Sequence, residues 1–214
     1  MVGVDKETCI LKSYDGRRAN PVLEASCGYV ANLTMHSEYV AGVSQELSAS
    51  DSGAYAIHIE HEYGVGKTME IRNCRLISDF FPALGVGMRK DFTLIVEDCD
   101  LISNQVAGRG SYANKGSLGA LYFHDSVGAA GNSYIIVKNC TIKAELENAI
   151  CPYTLYGNAS YPNAVNNKVY CTFINNTIDG EIWDRNGNAF EKNFILTEES
   201  CGNTSERLNY APNP

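Results

Sequence analysis

The sequence of 214 residues is short of positive charge, since 17 lysines and arginines stand against 25 aspartates and glutamates for a formal net charge of −8. Nucleic acids and anionic membranes attract basic proteins, so this balance argues against both as partners. No run approaches the ~20 consecutive apolar residues of a membrane span. With 44% hydrophobic residues over this length, the chain is expected to form one domain with a substantial core.

The eight cysteines include no CxxC motif, which argues against a zinc site built on that motif. Cysteine-rich disulfide frameworks belong to small secreted domains, and this chain is larger. Cys74, Cys99 and Cys140 fall in one column of the repeat described below, where layers ~4.8 Å apart could bring two thiols to bonding distance. We favour free thiols that pack as small hydrophobic groups, and the sequence predicts neither a metal site nor a cofactor.

One stretch recurs along the chain and organises it. Its copies are TMEIRNCRLIS (Thr68–Ser78), TLIVEDCDLIS (Thr93–Ser103), YIIVKNCTIKA (Tyr134–Ala144), YCTFINNTIDG (Tyr170–Gly180) and, more faintly, GYVANLTM (Gly28–Met35). One column holds an amide or an acid in every copy: Asn32, Asn73, Asp98, Asn139 and Asn175. Apolar residues alternate on both sides of that column, which is the period of strands with one buried face. Asn and Asp tolerate a left-handed backbone, so each copy predicts strand, bend and strand.

A second repeated strand lies between these copies. Its members are VLEAS (Val22–Ser26), AIHIEH (Ala56–His61), ALGVGM (Ala83–Met88), ALYFHD (Ala120–Asp125) and AICPYT (Ala149–Thr154). The alternation predicts that Leu23, Ile57, Leu84, Leu121 and Ile150 point inward. The pattern indicates an all-β parallel solenoid of about five or six three-sided coils. Residues 1–21 would form a partial first coil and residues 181–214 an irregular C-terminal cap.

The outward residues of this second strand suggest a binding surface. In successive layers the outward pairs are Glu24/Ser26, His58/Glu60, Gly85/Gly87, Tyr122/His124 and Cys151/Tyr153. The glycine layer would form a bare floor between two polar walls ~10 Å apart. Tyr122 and Tyr153 could stack on sugar rings. With Gly85, Gly87 and Arg89, these tyrosines form the predicted substrate-binding set.

A catalytic version of this site uses Glu60 and His124 as an acid/base pair, because a desolvated Glu and a His can both titrate near a working pH. His58, Arg89 or Asp125 would assist this pair. A glycosidase with two carboxylates needs them ~5–9.5 Å apart, and neither Asp125 nor Glu24 is well placed for this. Ligand binding without catalysis stays open. So does a purely structural interpretation, in which His58 and His124 are exposed polar residues of a sheet.

The I-x-N-C-x-I strands with an Asn bend resemble the pectate-lyase-like superfamily of right-handed parallel β-helices, over roughly Val4 to Gly180. The resemblance implies a single right-handed β-helix domain. Lyases and hydrolases of that superfamily bind polysaccharide along the first sheet, where the predicted surface lies. Their signatures are absent here: the surface has no cluster of calcium-binding aspartates, no paired Asp layers and no Gln/Asp/Asp/Arg set. Pectin chemistry is therefore not expected.

The N-terminal MVGVDKETC shows no signal-peptide pattern and starts as if in mid-coil. With the ending GNTSERLN, this looks like a module of a phage or prophage appendage, extracellular or virion-associated, and that likeness implies a homotrimer. We expect a glycan-recognising module of a tailspike or adhesin, with depolymerase activity left open. The alternatives are a free-standing polysaccharide lyase, glycoside hydrolase or esterase, and a structural spacer without a ligand.

Overall fold

The computed structural model describes residues 1–14, 21–43, 55–59, 65–80, 82–87, 91–104, 119–124, 132–152, 168–182 and 194–212, and these residues form an all-β structure. The strands are β1 (Ile10–Ser13), β2 (Leu23–Ala25), β3 (Gly28–Ala31), β4 (Thr34–Ser37), β5 (Ile57–Ile59), β6 (Thr68–Arg72), β7 (Arg75–Ser78), β8 (Leu84–Gly87), β9 (Thr93–Glu97), β10 (Asp100–Ser103), β11 (Leu121–His124), β12 (Asn132–Lys138), β13 (Thr141–Pro152), β14 (Lys168–Ile174), β15 (Thr177–Ile182) and β16 (Phe194–Leu196). A short 3-10 helix covers Glu206–Leu208. Within these ranges, no helix is long and apolar enough to cross a membrane.

The strands stack in three rows, and every pairing between the described strands is parallel. Row 1 contains β1, β4, β7, β10, the start of β13, and β15. Row 2 contains β2, β5, β8, β11 and the end of β13. Row 3 contains β3, β6, β9, β12, β14 and β16. Rows 1 and 2 join in one ten-stranded sheet because β13 runs from one into the other, whereas row 3 is a separate six-stranded sheet. The predicted parallel all-β architecture is confirmed.

The bends between rows 3 and 1 occur at the predicted amide or acid. All five residues have a left-handed backbone: Asn32 (φ 58°), Asn73 (φ 47°), Asp98 (φ 56°), Asn139 (φ 54°) and Asn175 (φ 53°). Their side chains also link neighbouring layers, since Asn73 Nδ2 donates to Asn32 Oδ1 at 2.9 Å and Asn139 Nδ2 donates to Asp98 Oδ1 at 3.1 Å. The column therefore serves both the backbone turn and the register of the stack.

The C-terminal segment continues this pattern for one more layer. Strand β16 pairs with β14, and Cys201 forms a bridge with Ile174. Gly202 then takes the bend position with φ 70°, and a Cβ there would lie 2.2 Å from Asn175 Oδ1. Leu208 follows and is fully buried against the core. The region predicted as an irregular cap thus adds an ordered layer before it covers the core.

The core lies between the three rows and is lined by the inward columns. Row 3 contributes Met69, Ile71, Leu94, Val96, Ile135, Val137, Cys171 and Phe173, all essentially inaccessible to solvent. Rows 1 and 2 contribute Met35, Leu76, Leu101, Ile142, Ile57, Leu84 and Leu121. Cys74, Cys99 and Cys140 are buried in one column, and all seven cysteines that the structure describes in side-chain detail are free thiols. Burial of these apolar columns is the main favourable term for the stack.

The left-handed bends lead to a direct test at Asn139. Asn139→Val should lower the free energy of unfolding by about 2–3 kcal/mol, because a β-branched residue fits a positive φ poorly and the hydrogen bond to Asp98 is lost. Asn139→Gly should lose only about 1 kcal/mol, since glycine adopts this backbone freely. Urea unfolding of the two variants measures the difference. Equal losses would show that the backbone conformation at the bend is unimportant.

Candidate functional site

The predicted surface on row 2 has the predicted register. Glu24 pairs with His58, His58 with Gly85, Gly85 with Tyr122, and Tyr122 with Cys151. These residues form one column across five layers. His124, the last residue of β11, pairs in turn with Gly87. The stacking of a histidine layer, a glycine layer and a tyrosine layer is therefore confirmed.

The glycine layer does not form a bare floor, which corrects the expectation for Gly85. The ring of Tyr55 lies over this residue, and a Cβ on Gly85 would stand 2.3 Å from Tyr55 Cε1. The same ring stacks on the His58 imidazole with centroids 4.5 Å apart and planes 7° apart. Tyr55 and His58 are only 1% and 3% exposed, and Tyr122 is buried as well. Gly85 thus lies against an internal aromatic stack, because the ring of Tyr55, two residues before β5, fills the space that a side chain on Gly85 would need.

Four residues predicted for this site lie outside the described residues: Glu60, Arg89, Asp125 and Tyr153. For His124 the structure gives the place in β11, opposite Gly87. The acid/base pair of Glu60 and His124 therefore stays a prediction. Among the described residues, no group of three or more His, Cys, Asp or Glu side chains is arranged to hold a metal ion.

A polar cluster that the sequence reading missed lies at the end of row 1. His36 is in β4, Asp79 follows β7, and Asn104 follows β10. Asp79 Oδ1 lies 3.1 Å from His36 Nε2 and accepts a hydrogen bond from Asn104 Nδ2 at 2.6 Å. Asp79 Oδ2 accepts one from the Tyr39 backbone N–H at 2.9 Å. We call His36, Asp79 and Asn104 the His–Asp cluster.

The environment keeps Asp79 ionised. Burial by itself would raise the pKa of this carboxyl group, but the hydrogen bonds from His36, from the Tyr39 backbone and from Asn104 outweigh burial, and the pKa lies below its ordinary value near 3.8. His36 lies in β4, one residue beyond the faint first copy of the repeat, Gly28–Met35. The signal that could have revealed the cluster is the polar column directly after three equivalent strands, Glu38, Asp79 and Asn104.

The lowered pKa of Asp79 predicts how one variant changes with pH. The folded pKa lies below the unfolded value, so the stabilisation is present above pH ~4 and is lost as the pH falls through the folded pKa. Asp79→Asn should therefore lower the free energy of unfolding by about 1–3 kcal/mol at pH 7. The gap between variant and wild type should close in acid. Urea unfolding from pH 7 to pH 2 measures it, and a gap of constant size would contradict the argument.

A pair of stacked tyrosines occupies the outer face of the six-stranded sheet. Tyr134 in β12 and Tyr170 in β14 are register partners, and their rings lie 5.6 Å apart between centroids with planes at 19°. Tyr134 is 44% exposed. Its partner on the other side is the small Thr93, and Ile195 follows Tyr170 in the next layer. The described surface thus offers aromatic faces to solvent on row 3, away from the surface predicted on row 2.

The outer face around these tyrosines changes from apolar to charged along each strand. Ile95 and Ile136 are register partners two residues farther along, and both are partly exposed. Glu97 and Lys138 come after another two residues, and Glu97 forms an ion pair with Arg72. We call Tyr134, Tyr170 and Ile195 the tyrosine strip; its neighbours are isoleucines first and ionic side chains beyond them.

No family model, curated protein or solved structure matches this chain.

Proposed function

We propose that the three rows close into a right-handed parallel β-helix, and that this helix is a glycan-recognising module of a phage- or prophage-type tailspike or adhesin, placed outside the cell or on a virion. The chain visits rows 1, 2 and 3 in the same order through each of the first four layers. Parallel strands joined in this way form right-handed connections almost without exception. The repeated left-handed bends supply the corner that such a coil needs.

The tyrosine strip is the observation that carries glycan recognition. Sugar rings have apolar C–H faces and a hydroxyl rim, so they pack on aromatic rings whose own hydroxyl groups reach water. Since Thr93 is small, the face of Tyr134 that turns away from Tyr170 is left open for such a contact. A rigid sheet holds both rings, which limits the entropy that binding costs.

The chemistry around the strip suits a neutral or hydroxyl-rich polymer. The isoleucines continue the apolar contact, and the Arg72–Glu97 pair and Lys138 lie farther along the strands, where polar groups can bind hydroxyl groups. Three layers of strip cover only about 10 Å along the stack. A subunit interface typically buries about 800 Å² on each partner, which is more surface than three side chains in three layers present. The strip is better matched to one chain of sugars.

The experiment is incubation with a panel of bacterial and plant polysaccharides, read out as thermal shift and as shortened products. A glycan-binding module should show a thermal shift without product. Product formation that vanishes in Glu60→Gln or His124→Ala, while binding persists, would make the protein a depolymerase that uses the predicted acid/base pair. Silence in both readouts would favour a structural spacer. Light scattering adds one more check, because a trimer that dissociates in Tyr134→Ala would make the strip a subunit interface.

A further inference from the structure

The His–Asp cluster is built rigidly and has no part in glycan binding by the tyrosine strip. The ladder of row 1 continues past the strand ends, since Asp79 N donates to Ser37 O at 2.9 Å and Asn104 N donates to Ser78 O at 2.8 Å. Asp79 and Asn104 are therefore fixed one layer apart. The rings of Tyr39 and Phe80 pack edge to face at 5.9 Å beside them. Such a frame holds a side chain in one geometry, as a reactive group requires.

The hydrogen bonds of Asp79 determine which nitrogen of His36 carries the proton. An ionised carboxylate only accepts hydrogen bonds, so Nε2 of His36 must be the donor to Asp79 Oδ1 at 3.1 Å. In the neutral ring the lone pair then lies on Nδ1. That nitrogen has no hydrogen-bond partner in the described part of the chain, and the side chain is 17% exposed. The arrangement is that of a base whose proton-bearing nitrogen is held by a carboxylate and whose other nitrogen makes no hydrogen bond to the described residues.

The charges around His36 also favour one kind of reaction. Lys12 in β1 is the register partner of His36 in the adjacent layer. Its ammonium group forms an ion pair at 2.9 Å with Glu38, which directly follows β4. The Lys12 ammonium group has three N–H donors, so beside its pair with Glu38 it can also donate to an oxyanion that forms on a substrate. Glycosidic cleavage needs a protonated carboxyl group as the acid. Asp79 is held ionised by three donors, and Glu38 is paired with Lys12, so the cluster does not offer that acid.

We propose that His36 is the general base of an ester-hydrolysing site, with Asp79 as its positioning residue. His36 Nδ1 takes a proton from water as the water oxygen bonds to the acyl carbon of a small carboxylic ester. The tetrahedral intermediate then breaks its bond to the alcohol oxygen, and the imidazolium returns the proton to that leaving oxygen. One ester and one water give one carboxylic acid and one alcohol, and the imidazole ends neutral, as it began. The inference is independent of the proposed glycan recognition, because a small ester contains no sugar.

The test is hydrolysis of p-nitrophenyl acetate by the full chain, followed through release of p-nitrophenol. The wild type should exceed an equal concentration of free imidazole, and His36→Ala should lower kcat/KM at least 100-fold, the scale of general-base catalysis. Added imidazole should restore part of the lost rate. Asp79→Asn should lower kcat about tenfold or more and change KM little, because it removes orientation of the base. His61→Gln controls for unspecific catalysis by histidine and should behave as the wild type.

His36→Gln guards against misreading a folding defect, because its amide can still donate a hydrogen bond to Asp79. It should melt close to the wild type and lose the same activity as His36→Ala. The proposal is overturned if the wild type is no faster than free imidazole, if His36→Gln keeps the rate, or if imidazole fails to restore folded His36→Ala. A silent polysaccharide panel would leave these ester results standing, so the two proposals fail separately.

Discussion

Replacing Val96 with aspartate should abolish the fold. Val96 is fully buried in row 3, between its register partners Ile71 and Val137 in the adjacent layers. An unpaired carboxylate in this column would cost several kcal/mol in desolvation, beyond the lost packing of the valine. Domains of this kind are stable by only about 5–15 kcal/mol in total. We therefore expect an insoluble or unfolded Val96→Asp protein by circular dichroism and urea unfolding.

Ile95→Asp is the matched control for this variant. Ile95 is the preceding residue of β9, but its side chain points to the outer face and is partly exposed. The same new charge there should cost only about 1 kcal/mol, the span of strand propensities. The two variants have nearly identical composition, so a difference between them reports side-chain direction alone. A soluble, cooperatively unfolding Val96→Asp protein would mean that the inward column is assigned to the wrong face.

Gly85→Ala, in the surface predicted on row 2, should lower the free energy of unfolding. The new Cβ would stand 2.3 Å from Tyr55 Cε1 and 2.6 Å from Tyr55 Cδ1, both too close for any contact. Because the ring is buried and stacked on His58, it must shift with its partner. Overpacking of this kind costs about 1–3 kcal/mol. Thermal and urea unfolding should both report the loss.

A double-mutant cycle shows whether the ring is the cause. In a Tyr55→Ala background the space above Gly85 is empty, so adding Gly85→Ala should change the unfolding free energy by less than about 0.5 kcal/mol. In the wild-type background the same substitution should carry its full cost. If the two costs are equal, the clash with Tyr55 does not explain the requirement for glycine.

The architecture could be predicted because its signals are local and repeated. Period-2 alternation identified the inward columns, and the single Asn or Asp column identified bends that need a left-handed backbone. Stacking one copy on the next also predicted contacts between layers. Aligning TMEIRNCRLIS with TLIVEDCDLIS places Arg75 opposite Asp100, for example, and Arg75 Nε lies 3.4 Å from that carboxylate. A wrong assignment of a column would have to be wrong in every copy of the repeat, so the agreement of several copies supports the assignment.

The details of the sites were harder because they depend on residues beside the repeated strands. Tyr55 precedes β5, and nothing in the alternation shows that its ring crosses to Gly85 in the next layer. His36 and Asp79 lie 43 residues apart, and only the register of row 1 brings them together. The last layer was hidden for a different reason, since glycine replaces asparagine at the bend and Gly202 breaks the column.

The tyrosine pair was visible in the sequence, because two copies of the repeat begin with tyrosine at the same position. Its significance follows from exposure, which the sequence does not give. Tyr134 points outward and is 44% exposed, whereas Tyr122, chosen on the sequence as a sugar-stacking residue, is buried. An aromatic residue in an outer column is thus a better candidate for ligand contact when its register partner in the adjacent layer is small, as Thr93 is for Tyr134.

Binding to an array of bacterial and plant glycans, compared between the wild type, Tyr134→Ala and Tyr29→Ala, tests glycan recognition most directly. Tyr29 lies on the same sheet and is 46% exposed, close to the 44% of Tyr134, but it has no stacked aromatic partner in the described part of the chain. The wild type and Tyr29→Ala should bind the same glycans, and Tyr134→Ala should bind them at least tenfold more weakly, a loss of about 1.4 kcal/mol. Absence of any bound glycan, or equal binding by Tyr134→Ala, would contradict the proposed function.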